Sequence, residues 1–231
     1  MTDALFGIVV AITALAALAR LSLWRAAPQT RLLTAVLALL AASAAFVHPG
    51  LSDNLDAYFD DPGWSGMGYD VLLLTAVCLE CAYIAHIWGF TRLAKIAQLA
   101  APVLAALLAI TYALAEHSGQ HRHYIGEGLS RTATVHGLIV SGALLLANVV
   151  MGATVLSARP WTRTQVWFGV SALAGLTVAL LRISATVDPG RFADAFWNLR
   201  YPLESIVLLA VSAAGIDNLI RKWRSRSAAN G

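Results

Sequence analysis

Apolar runs of about twenty residues recur seven times along this chain, and no other feature of the sequence constrains its fold as tightly. A bilayer core roughly 30 Å thick offers no partner for a backbone N–H or C=O, so a chain crosses it as helices of about 20 apolar residues. Residues 4–23, 31–47, 71–90, 96–115, 132–156, 166–187 and 202–220 form such runs, the second being the shortest. They predict an all-α polytopic membrane protein: a seven-helix transmembrane bundle over 1–220 and a basic tail over 221–231. With 58% apolar and 13% charged residues and a mean hydropathy of +0.68, the composition is not that of a soluble globule. The longest stretch between runs, 48–70, is too short and too rich in Gly and Pro to fold a core of its own, so no catalytic domain is expected. The net charge of +3 comes from short loops and the C-terminus, which excludes nucleic acid as the main partner and leaves the lipid bilayer.

The sequence also predicts an orientation. Seven spans place the termini on opposite sides, and a cytoplasmic C-terminus puts Arg20, Arg25, Arg31, Arg92, Lys95, Arg159, Arg163, Arg221, Lys222, Arg224 and Arg226 inside, 11 of the 16 basic residues. The outer side then receives most of the acids, from Asp3 through Asp53, Asp56, Asp60, Asp61 and Asp70 to Glu116, Glu127, Asp188 and Asp194. Trp24, Trp88, Trp161, Trp167 and Trp223 fall at predicted inner ends and Trp64 and Trp197 at outer ones, the interfacial positions that indole prefers. The first basic residue, Arg20, comes towards the end of the first apolar run and none precedes it, so that run reads as a retained N-out anchor, not a cleaved signal peptide. The expected location is the bacterial plasma membrane.

Polar groups inside the runs are the candidates for function, because each is expensive to bury. Glu80, near the middle of the third run, is the leading one; the competing reading makes it a bundle tie hydrogen-bonded to Asn148 in the fifth. Arg182 and Glu204, of opposite sign near the outer boundary of consecutive helices, could pair; a static clamp or snorkelling to the outer headgroups competes with a ligand or ion contact. Asp217 should be solvated beside Arg221 and Lys222. Cys78 and Cys81, inside one span, read as small packing residues, and Ser171, Gly175 and Ala179 as a small-residue face that lets helices approach. That face also fits a homo-oligomer or a membrane-protein partner.

His48, His117, His121, His123 and His136 all map to the outer side, where imidazoles beside Glu116 and Glu127 could bind Zn or Cu. The Gly-containing stretch from His117 to His123 lacks helical ligand spacing, and a wet polar loop explains it equally. Stacked b-type haems need histidines at matched depths on both halves, and His86 stands alone on the inner half. A retinal Schiff base needs a lysine in the last span, whereas Lys95 and Lys222 both lie at the cytoplasmic face. No cofactor is expected.

A basic turn containing Arg25, Pro28 and Arg31, a long outer loop, a third helix closing on Trp88, and a link running Arg159, Pro160, Trp161, Thr162, Arg163 complete the layout. It resembles the membrane half of an actinobacterial family of transporter-like proteins. Longer members carry a cytoplasmic domain after the seventh helix and lie near genes for metallopeptidase-type regulators of mobile elements. The resemblance implies a membrane-only member ending at Gly231, with no established site residues to carry over. The functional expectation is a non-enzymatic transporter-like or sensor-like protein with an intramembrane carboxylate and an unidentified small-molecule or ion ligand. Two other classes stand beside it: a phage or prophage membrane protein of immunity or exclusion that binds other membrane proteins, and a haem- or metal-binding redox protein.

Overall fold

A computed structural model describes residues 3–24, 30–60, 63–114, 125, 130–158 and 161–227. Among them the chain is all-α, with helices α1 (Asp3–Leu21), α2 (Arg31–Phe46), α3 (Pro49–Phe59), α4 (Trp64–Ile87), α5 (Thr91–Leu114), α6 (Arg131–Ser157), α7 (Arg163–Val187) and α8 (Pro189–Ser227). Six of these, all but α2 and α3, are long and apolar enough to cross a membrane. At 16 residues α2 falls short alone; with α3, from which it is bent by 76°, it makes up to a seventh crossing. Their outward faces are apolar: Leu15 and Leu18 on α1, Ile96 and Leu99 on α5, and Leu146 on α6 are each at least 60% exposed. Exposed apolar surface on this scale belongs to a protein solvated by lipid, and the chain has the build of a multi-pass membrane protein.

Successive helices run back and forth, so the bundle has two ends. The amino end gathers the starts of α1, α4, α6 and α8; the carboxyl end gathers the C-terminal parts of α1, α4, α6 and α8. The centre belongs to α4, where 61% of the most apolar window is buried against 22% in α5. Helix α4 packs on α2, α5 and α6, while α1, α2, α8, α7, α6 and α5 follow one another around it. A helix apolar on all sides is the one that a bundle encloses.

Three expected boundaries are corrected. The stretch 48–70 is not a loop: Pro49 opens α3 at a position where proline's missing N–H is no loss, and Asp60 ends it in the left-handed conformation (φ 50°). Helix α4 starts at Trp64, seven residues before the apolar run, because the Asp56 carboxylate of α3 caps its first turn. Ser65 N donates to Asp56 Oδ1 (2.7 Å) and Ser65 Oγ to Oδ2 (3.0 Å). The Phe59 ring stacks on Trp64 at 4.1 Å. Asp56, placed by sequence between runs on the outer side, is therefore buried. Helix α8 passes through Pro202 and has 39 residues, about 58 Å at ~1.5 Å per residue, well beyond the thickness of a bilayer core. Pro102 is likewise inside α5.

Arg20 is a further correction. Counted by sequence among the basic residues of the inner side, it is wholly buried at the carboxyl end, donating to Gly215 O (2.6 Å), Thr30 O (3.4 Å) and Asn218 Oδ1 (3.4 Å). Gly215 makes room for it, since a Cβ there would stand 2.9 Å from Leu37 and 3.4 Å from the Arg20 side chain.

Candidate functional site

Two layers of buried polar groups cross the bundle. The first, at the amino end, is ionic. Asp70 on α4 accepts two parallel bonds from Arg182 on α7, Nη1 to Oδ1 at 2.8 Å and Nη2 to Oδ2 at 2.9 Å, a bidentate geometry that matches the guanidinium fork to the carboxylate. His136 Nε2 on α6 lies 3.7 Å from Asp70 Oδ2, and His136 Nδ1 is 2.7 Å from Thr111 Oγ1 on α5. One carboxylate thus connects four helices with none of its neighbours open to solvent: Asp70 and His136 are fully buried and Arg182 nearly so.

The neighbouring residue on α4, Tyr69, begins the second half of this layer. Its hydroxyl donates to Glu204 Oε1 (2.7 Å), which also accepts from Arg200 Nε one turn earlier on α8 (2.8 Å). The Arg200 guanidinium lies 4.9 Å above the Tyr69 ring, with Phe196, Trp197 and Tyr201 within 6 Å. Aromatic faces of this kind replace water around a buried cation.

The expected pairing of Arg182 with Glu204 is therefore corrected: each has another partner, Asp70 for the arginine, Arg200 and Tyr69 for the glutamate. The sequence places Asp70 on the outer side just before a span and gives Arg200 no role, because the apolar runs begin at residues 71 and 202. The signal available in sequence was adjacency: a Tyr–Asp pair and an Arg–Tyr–Pro–Leu–Glu stretch directly bordering apolar runs.

The second layer lies deeper. Glu80 is about 15 Å from Asp70 along α4, at ~1.5 Å per residue, and 1% exposed. Its Oε1 accepts from Ser171 Oγ on α7 (3.3 Å), and its Oε2 has no partner among the described residues. The expected tie to Asn148 is absent; the Asn148 amide donates instead to Leu144 O on its own helix (2.8 Å). The small-residue face of α7 explains why both polar groups fit. Ser171 supplies the hydroxyl, and Gly175 leaves space for the Asn148 amide, which a Cβ would overlap. The close approach is thus between helices of this chain.

A cavity of about 50 Å³ joins the two layers. Tyr69, Glu80, Asn148, Ser171 and Glu204 line it with apolar groups of α2, α4, α6, α7 and α8. Its volume exceeds the roughly 10–15 Å³ that one water needs, and the few polar groups in its largely apolar lining supply hydrogen-bond partners.

The remaining candidates lie elsewhere. His48 precedes α3, its ring beside Gly7 of α1. His117, His121 and His123 fall outside the described residues, and among those described no group of three or more His, Cys, Asp or Glu is placed to hold a metal ion. Cys78 and Cys81 are free and buried in α4. Asp217 is held more firmly than expected: Thr164 Oγ1 of α7 donates to it (2.5 Å), and Arg221, which also contacts Thr164, pairs with it at 3.2 Å. Comparison with known protein families, curated proteins and solved structures finds no match to this chain.

Proposed function

We propose that this chain is a transporter-like or sensor-like protein of the bacterial plasma membrane, crossing it seven times with the N-terminus outside, and that Glu80 is the group through which it engages a small ligand or ion. One observation carries the reading: a fully buried carboxyl with a single hydroxyl partner among the described residues lines a mostly apolar cavity that Tyr69, Asn148 and Glu204 also reach. Isolated charge in hydrocarbon costs several kcal/mol, and intramembrane carboxyls that lack a cation mark ion and substrate paths. The contrast with Asp70 supports the assignment, since that carboxylate already has an arginine and is built as structure. The distribution of basic residues supports the orientation, and a seventh crossing is reached if the bent α2–α3 pair counts as one span.

Infrared spectroscopy of the chain in lipid vesicles tests the role of Glu80. A carboxyl band that shifts on exchange into D₂O, responds to buffer pH and vanishes in Glu80→Gln is the expected result. A wild-type spectrum indistinguishable from Glu80→Gln across the accessible pH range overturns the proposal.

A further inference from the structure

We infer that the ligand of Glu80 is a lipophilic amine that enters sideways from the bilayer, its ammonium head beside Glu80 in the small cavity and its apolar tail in a groove between α6 and α7. The inference rests on the reading of Glu80 as a ligand-binding group and adds the chemical class and the route.

The groove is large, about 590 Å³, within the roughly 300–1,000 Å³ of small-molecule sites. Its depth has a simple origin: small residues, Gly152 and Ala153 on α6 and Gly169 and Ala172 on α7, line it, with Gly152 opposite Ala172 and Gly169 against Val155. The lining is otherwise aliphatic, with Gln165 and Trp161 towards the carboxyl end.

Asn148 belongs to both spaces: it lines the Glu80 cavity and the groove. Its amide rests against Gly175 and is bonded only within α6, so turning it away breaks no tie between helices. A rotation of this one side chain therefore joins the groove to the carboxyl. Charge selects the occupant. A neutral tail gains little on passing from lipid to an apolar groove, whereas a cationic head gains a charge-assisted bond to a buried carboxylate that has only Ser171 beside it. The cavity is sized for a small head group, and the groove for a tail.

Trp161 lines the groove, so bromine, a short-range quencher of indole fluorescence, reports occupancy. The probe is a terminally brominated long-chain primary alkylamine added to the chain in unbrominated vesicles, with the brominated alcohol of equal length as control. Amine and alcohol alike quench the other lipid-exposed tryptophans by partitioning into the bilayer. The expected result is a saturable component with the amine beyond that background, lost in Trp161→Phe, weakened at least tenfold in Glu80→Gln and abolished by Gly152→Leu, which fills the groove. Thermal unfolding of each variant in detergent establishes that it is folded, and Asn148→Leu supplies a second polar-site variant expected to weaken binding. Equal quenching by alcohol and amine, unchanged in Glu80→Gln, would mean that the groove holds ordinary lipid and overturns the inference. So does saturable amine binding that Gly152→Leu leaves intact. If the infrared signature of Glu80 persists while the amine fails to bind, the ligand class is wrong and the role of Glu80 stands; loss of both removes both.

Discussion

Asp70 and Arg182 meet through two parallel hydrogen bonds of 2.8 and 2.9 Å between α4 and α7, with both side chains buried in the bundle. A buried ion pair is weak evidence of net stability, because desolvation offsets much of the attraction, but leaving either charge alone is expensive. Arg182→Met and Asp70→Asn should each destabilise the chain by about 3–5 kcal/mol. The double variant Asp70→Leu with Arg182→Met should recover most of that loss. Thermal unfolding in detergent measures all three, and a double variant no better than the worse single one would show that the pair specifies the helix arrangement beyond its charge balance.

Glu80 should behave differently. Glu80→Gln preserves shape and a bond to Ser171, so its stability should stay within ~1 kcal/mol of wild type. Glu80→Ala enlarges the existing cavity and should lose about 1–2 kcal/mol. Unfolding midpoints measured side by side check the order. A Gln variant as unstable as the Ala variant would mean that the carboxyl is a structural tie.

Two glycines offer a sharp contrast. A Cβ on Gly68 would stand 2.5 Å from the Phe46 ring, whereas one on Gly142, which faces outward, meets nothing within 4 Å. Gly68→Ala should cost about 1–3 kcal/mol through overpacking between α2 and α4. Gly142→Ala should be neutral or stabilise α6 by up to ~1 kcal/mol, the helix preference of alanine over glycine. Equal unfolding midpoints for the two variants would refute the close α2–α4 contact.

The proposed orientation is tested by single cysteines at Tyr58 and Ser225, introduced after Cys78→Ser and Cys81→Ser. Tyr58 is 82% exposed on α3 and Ser225 lies near the end of α8. An impermeant thiol reagent added to intact cells should label the first and spare the second. The opposite pattern inverts the topology.

The all-α, lipid-solvated class was legible from the chain alone, since apolar run length is a local property and backbone hydrogen bonding in lipid leaves few solutions. Helix ends were less legible wherever a distant group decided them. Trp64 begins α4 because Asp56 of another helix caps it, and Pro202 lies within α8 although proline usually marks a helix start. Glu80 stood out by depth alone, one carboxyl in an otherwise apolar run.

Only the tertiary structure decided the partners. Asp70 and Arg200 lie just outside the apolar runs and Arg20 near the end of one, and nothing local announces that they are buried, yet packing closes over all three. Arg182 and Glu204 looked complementary from their places on consecutive helices, but sequence carries no rotation angle about a helix axis. That angle turns Arg182 towards α4 and leaves Glu204 to Tyr69 and Arg200. The same rotation places Gly175 against Asn148 and Ser171 beside Glu80, so a charge that run length merely located acquires its cavity from the way four other helices pack around α4.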